Sequence, residues 1–175
     1  LKMTSEPLLA ADKLNNDPRL AEAKKLILAA VAEHQETLVS VRPPRPELAA
    51  NYEHQLEQFG AIRGGKTFFP YLGSGIGNGP FVELADGSVK LDLITGIGVH
   101  GYGHSHPRLI NAGIDAAMSD TVMQGNLQQN TSSCDIVKLL TDVACESGAG
   151  LKHCFLTTSG AMANENSLKM AFQKN

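Results

Sequence analysis

His153-Cys154-Phe155-Leu156-Thr157-Thr158-Ser159-Gly160-Ala161-Met162-Ala163-Asn164-Glu165 is the stretch on which the fold turns. Its first five residues read as a short buried strand, Thr158-Ser159-Gly160 as a turn, and Ala161 to Lys174 as a helix, a strand-turn-helix unit of an α/β fold. The first N–H groups of a helix lack internal partners and sit at the positive end of its dipole, so backbone alone can bind a phosphate there. Gly160 lets an anion come close, and the Ser159 hydroxyl can add a donor. A Ser-Gly turn is also a common helix start, and on this motif alone simple capping by Ser159 outweighs a phosphate site.

Upstream of this unit, Thr131-Ser132-Ser133-Cys134-Asp135 offers a Ser-x-x-Asp cap, and Ile136, Leu140, Val143 and Ser147 share a helical face that stops near Gly148. Pro107 opens an earlier helix with a narrow face of Leu109, Ile110, Gly113, Ile114 and Ala117. The two helices are expected to pack as neighbours. Between them, Met123 to Asn130 is rich in amides and has no periodicity, which suits a hydrogen-bonded loop better than a ligand or subunit contact.

Further back, Phe81 to Leu84 and Ser88 to Leu93 flank Asp86-Gly87, a dipeptide that favours the positive φ of a tight turn, and two antiparallel strands are expected. The glycines at 73, 75, 77 and 79 form no phosphate-loop pattern, since a strand rather than a helix follows, and are expected in a loop. Asp17-Pro18 opens a helix of about six turns with Leu20, Ile27, Val31 and Leu38 on one face. The run Arg42-Pro43-Pro44-Arg45-Pro46 ends it, and a shorter helix follows over roughly Glu47 to Phe59.

Gly103-His104-Ser105-His106-Pro107 places two histidines before a helix, but no cysteine or carboxylate nearby completes a ligand set. Hydrogen bonding and capping at the loop-to-helix junction are expected in place of a metal site. The three cysteines, Cys134, Cys145 and Cys154, are odd in number and form no CxxC pair, so neither a disulfide framework nor a zinc ribbon is expected.

The 175 residues, 42% hydrophobic, suffice for a core. A net charge of −3 from 15 basic and 18 acidic residues gives no footprint for nucleic acid, and a small-molecule partner is expected. No apolar run approaches the ~18–20 residues that cross a bilayer, and Leu1 to Glu6 lacks the pattern of a secretory signal. A soluble, cytoplasmic protein is the expectation. The chain starts at Leu1, not at methionine, and stops at Asn175 inside an expected helix, so a fragment is suspected.

Taken in order, these motifs resemble the N-terminal portion of class III aminotransferases, enzymes that depend on pyridoxal 5'-phosphate. The family's glycine, strand and D-G hairpin correspond to Gly79, Val82 and Asp86-Gly87; its next stretch to Leu91-Asp92-Leu93 and Gly96-Ile97; its "GHxHP" to Gly103 through Pro107. Its "SGaEANE..lklAr" corresponds to Ser159-Gly160-Ala161-Met162-Ala163-Asn164-Glu165 and on to Ala171. The match runs from about Gly77 to Lys174, and the residues before it fit the family pattern poorly.

The resemblance implies a fold type I architecture: the antiparallel hairpin belongs to a small domain and the large cofactor-binding domain follows. Residues 1–46 read as an N-terminal helix and Pro-rich linker, and the resemblance implies 47–104 as a small-domain segment with the hairpin and 105–175 as the beginning of the large domain. It assigns Ser159, Gly160 and Ala161 to the cofactor phosphate, and Ile97 and, by a looser alignment, Tyr71 to the substrate. Asn164 and Glu165 are expected to be structural at the helix start. Met162 stands where an acidic residue is usual and Leu84 where an aspartate is common, which bears on substrate more than on cofactor.

The implied activity moves an amino group between an amino donor and a 2-oxo acid, in a homodimer. The lysine that would hold the cofactor lies beyond the point matching Asn175, and none of Lys66, Lys90, Lys138, Lys152, Lys169 or Lys174 has its context, so no catalytic residue is expected within these positions. Other fold type I enzymes, such as an aminomutase or a decarboxylase, would share these motifs, and a non-catalytic phosphate-ligand module would share the Ser159 turn.

Overall fold

The computed structural model describes residues 9–119 and 130–174. The chain forms two compact units that divide between residues 120 and 121, and it is mixed α/β with one small antiparallel sheet. The amide-rich tract from 123 to 129 and the N-terminal stretch from 1 to 6 lie outside the described residues.

In the first unit, a short helix α1 (Ala10–Asn15) precedes α2 (Pro18–Gln35). Asp17 caps α2 as its sequence indicates: Oδ1 accepts from the Arg19 N–H at 2.9 Å, and Pro18 occupies the first turn. The helix ends earlier than the expected six turns, well before the proline run. The Thr37 hydroxyl donates to the His34 carbonyl at 3.2 Å, and the chain then turns to bury Leu38, which is 1% exposed. Of the expected face, Leu20 and Val31 are half-buried and Leu38 is buried, whereas Ile27 is exposed and Lys24, Leu28 and Gln35 are half-buried in addition.

After α2 the chain runs alongside the hairpin. Arg42 and Val89 exchange both main-chain hydrogen bonds (3.1 and 3.0 Å), and the Arg42 guanidinium donates to the Gly87 carbonyl and to Glu83 Oε1, each at 2.9 Å. Helix α3 (Pro46–Arg63) outlasts the expected Phe59 by a turn and stops at Gly64, whose φ of 79° is the left-handed cap that glycine accepts freely. Tyr52, buried on α3, donates its hydroxyl to the Pro70 carbonyl (2.6 Å) and accepts from the Leu72 N–H (3.2 Å). That pair leads the chain into the sheet.

The sheet has the order β1 (Gly73–Asn78), β2 (Phe81–Leu84), β3 (Val89–Leu91). The β2–β3 hairpin is the one read from Asp86-Gly87: Gly87 has φ 75°, and Asp86 Oδ1 accepts from the Ser88 N–H at 2.8 Å. The expected glycine loop is a strand. Gly73 faces Leu84 and Gly77 faces Val82, so β1 carries two more residues than β2 over the same span and bulges at Gly75, φ 107°. Leu38, Tyr52, Leu84 and Val89 form the buried apolar centre.

Helix α4 (Pro107–Met118) packs on α2 through Ile110, Asn111, Ile114, Asp115 and Met118, with an ion pair between Lys24 and Asp115. Gly113, expected at a tight contact, is exposed with open space around it.

The second unit holds α5 (Thr131–Glu146) and α6 (Gly160–Lys174), so the helices expected to pair, α4 and α5, fall in different units. The cap of α5 is Asn130, not a serine: its Oδ1 accepts from the N–H and hydroxyl of Ser133 at 2.8 and 3.0 Å. Residues 153–157, expected as a buried strand, have no regular structure and no sheet partner among the described residues; Phe155 is 57% exposed. A strand needs a neighbour for its N–H and C=O groups, and none is present in this unit.

Candidate functional site

The Ser159 turn lies in the second unit at the start of α6. Ser159 Oγ accepts from the Met162 N–H at 3.2 Å and its carbonyl accepts from the Thr157 hydroxyl at 3.1 Å, so the capping role read from sequence is present. The cap leaves the next two donors over: the N–H groups of Gly160 and Ala161 have no acceptor among the described residues. A Cβ built at Gly160 would meet nothing within 4 Å, and Ser159 through Met162 are solvent-exposed. The Ser159 hydroxyl hydrogen is free to donate while its oxygen accepts. Three donors at the positive end of a 15-residue helix with an open approach are a fit for a phosphate group. Further along α6, Glu165 pairs with Lys169 at 2.7 Å on the exposed helix surface, which holds its carboxyl below the usual range.

The other expected site residues, Tyr71 and Ile97, lie in the first unit. Tyr71 is 62% exposed, stacks on Phe69 with ring centroids 6.2 Å apart, and lines a cleft of about 550 Å³ together with Val82, Lys90, Asp92, His100 and His104. Ile97 is 92% exposed on the loop bordering this cleft; Ile94 and Gly96 of that loop line it.

The cleft also holds the hydrogen bond of His104, expected from its motif, but with a partner that the motif does not name, Asp92. His104 Nε2 and Asp92 Oδ2 are 2.7 Å apart, with side chains 14% and 16% exposed. Asp92 Oδ1 accepts from the N–H groups of Ile94 (2.8 Å) and Thr95 (2.9 Å). The hydrogen bond with His104, helped by the Ile94 N–H, holds the Asp92 carboxyl below its ordinary range against the opposing effect of burial. Twelve residues separate the partners, and no local pattern announces such a pair. The available signal was an aspartate three residues before Thr95-Gly96, a side chain placed to bond its own backbone.

The second histidine of the GHSHP motif does what was expected at the helix junction: His106 Nδ1 accepts from the Arg108 N–H at 3.2 Å. Among the described residues, no three His, Cys, Asp or Glu side chains gather as they would around a metal ion. Nor is any helix among them long and apolar enough to cross a membrane.

Comparison with known proteins supplies the lineage. The family profile described as aminotransferase class-III matches residues 71–175. The chain is similar to the acetylornithine aminotransferase of Bacillus anthracis, 36% identical over 95 residues that make up 54% of this chain and 23% of that protein. The acetylornithine aminotransferase of Methanocaldococcus jannaschii is 33% identical over 95 residues, 54% of this chain and 22% of that protein. That of Haemophilus ducreyi is 33% identical over 118 residues, 67% of this chain and 28% of that protein. The chain thus spans about a quarter of the length of these relatives. No solved structure matches it. With a family match over more than half its residues, the chain belongs to the class-III aminotransferases.

Proposed function

We propose that the full-length protein is a pyridoxal-phosphate-dependent aminotransferase and that this chain supplies its phosphate turn and part of its substrate wall. The observation that carries the reading is the pair of unengaged N–H groups at Gly160 and Ala161, beside the Ser159 hydroxyl, in an open turn at a helix N-terminus. When bound, pyridoxal phosphate supplies an electron sink that lets an amino group leave one carbon skeleton and join another.

What the residues of this chain do is bind and orient. The backbone of Gly160 and Ala161 holds the phosphate without a side-chain counter-ion, and Ser159 both caps α6 and donates to the same group, which fixes the turn's geometry before ligand arrives. Tyr71 and Ile97 supply apolar surface toward the substrate. The proton-moving lysine is assigned outside these residues. The exposed apolar side chains of the second unit, Phe155, Leu168 and Phe172 among them, favour further protein surface over them, whether from the rest of a longer chain or from a second copy in a homodimer.

The names of the relatives make acetylornithine the first amino donor to try, with a panel of 2-oxo acids as acceptors. The test is a cofactor titration of the full-length protein followed by visible-edge absorbance, run in parallel with pyridoxal lacking the phosphate. Gly160→Asp puts a carboxylate against the anion and is expected to weaken pyridoxal phosphate about tenfold or more while leaving pyridoxal unchanged. Equal affinities of wild type and variant for pyridoxal phosphate would sink the assignment of the turn. Product analysis then decides the reaction: an amino acid formed from the oxo acid supports transfer, and carbon dioxide release or an isomerised amine opposes it.

A further inference from the structure

Residues 95 to 98 form an unbroken left-handed run: Thr95 has φ 52°, Gly96 59°, Ile97 58° and Gly98 92°. For the glycines this is ordinary. Thr95 and Ile97 are β-branched, the residue type for which the left-handed region is a genuine outlier. Such a turn persists only where its surroundings over-determine it.

Asp92 is what determines it. Its Oδ1 gathers the N–H groups of Ile94 and Thr95, forcing the chain to turn immediately after the strand. Its Oδ2 is held by His104, and His104 is fixed to the sheet from two sides. The His104 N–H donates to the Gly79 carbonyl at 2.8 Å, and its Cβ lies so close to Gly77 that a Cβ built there would stand 2.5 Å away. The His104 ring stacks on His100 at 4.1 Å, and the His100 N–H closes the turn onto the Thr95 carbonyl at 2.9 Å. A continuous path therefore runs from β1 through His104 and Asp92 to the turn, at whose apex Ile97 stands 92% exposed.

We infer that Asp92, locked by His104, is a positioning residue that fixes the left-handed turn Thr95–Gly98 and thereby holds Ile97 against the side chain of the amino donor. The inference rests on the reading of Ile97 as a substrate contact. Asp92 touches neither substrate nor cofactor in this scheme, and its effect is felt in substrate binding, not in cofactor loading.

The test uses full-length protein loaded with pyridoxal phosphate, with acetylornithine and a 2-oxo acid acceptor as substrates and amide hydrogen exchange as an independent readout. Asp92→Ala is expected to raise KM for the amino donor about tenfold, with kcat and cofactor affinity little changed, because a displaced contact is lost from binding before it is lost from chemistry. The Ile97 and His100 amides, which donate to Ile94 and Thr95 carbonyls, should exchange faster while Val89 stays protected. Asp92→Asn keeps an oxygen acceptor for Ile94 and Thr95 and should restore most of the wild-type KM. If Asp92→Ala does not fold, His104→Gln, which frees the carboxylate but leaves its backbone bonds, should move KM and exchange in the same direction by less.

Unchanged exchange at Ile97 and His100 in the variants overturns the lock. Faster exchange with an unchanged KM, while Ile97→Ala itself raises KM, overturns the positioning role and leaves the Ile97 reading standing. An Ile97→Ala variant with wild-type KM removes the substrate contact itself, and the proposal falls with it.

Discussion

Ser88 is fully buried at the hairpin turn, and its Oγ has no hydrogen-bond partner among the described residues, although its N–H is bonded to Asp86. An unpaired buried hydroxyl costs about 1–3 kcal/mol, so Ser88→Ala should stabilise the protein by about 1 kcal/mol, read as a higher urea midpoint at unchanged slope. Leu38, at 1% exposure, makes the opposite case: Leu38→Ala leaves a cavity and should cost about 2–5 kcal/mol in the same measurement. Asp92 couples stability to pH. Its carboxyl is held below the ordinary 3.8 in the folded state by the hydrogen bond with His104, so the unfolded chain takes up a proton first. The stabilisation is fully present above that ordinary value and is lost as pH falls through the depressed folded one. Urea midpoints followed from pH 6 into acid should therefore fall less steeply below about pH 4 for Asp92→Asn than for wild type. Equal slopes would place the coupling elsewhere, with Asp17 the first alternative, since Arg19 lowers its carboxyl to about 2.

Among the elements, β1 depends most on a missing side chain. A Cβ at Gly77 would lie 2.5 Å from His104 Cβ and 2.6 Å from the Phe81 carbonyl oxygen, and the latter is backbone in the paired strand, which cannot move aside cheaply. Gly77→Ala should destabilise the sheet by about 3 kcal/mol and loosen the His104 loop, seen as a lower urea midpoint with faster amide exchange at His104. This dependence also explains why β1 was not legible in the sequence. Alternating glycines carry no hydrophobic period, and what makes them a strand is the closeness of His104, a contact 27 residues away that no local pattern encodes. The β2–β3 hairpin and the starts of α2 and α4 were legible because Asp86-Gly87, Asp17-Pro18 and His106-Pro107 are decided by neighbours in sequence. The Ser159 cap of α6 was legible in the same way, whereas the Asp92–His104 pair joins residues that only folding brings together. Residues 153–157 show the converse: a pattern suited to a strand does not make one where no partner strand stands beside it.

At the scale of the molecule, the two units differ in what they bury. Every buried side chain among the described residues belongs to the first, and part of its core comes from residues outside the family match. Leu38 and Tyr52 supply two of the four buried apolar side chains, and Arg42 supplies both a main-chain partner for Val89 and an ion pair for Glu83. The N-terminal region is therefore part of the unit that carries Tyr71 and Ile97, not an appendage to it. Removing residues 1–46 would expose Val89, now 0% exposed, strand β3 would lose its outer backbone partner, and Glu83 would keep a half-buried carboxylate with no cation. Each loss draws on a different kind of interaction, and a three-stranded sheet whose strands are six, four and three residues long has little reserve against them. The deletion should abolish slow amide exchange at Val82 and Lys90 while leaving that of α5 and α6 as it is in the intact chain. Retained protection across β2 and β3 in the shortened protein would mean that the family-matched residues stabilise the sheet alone.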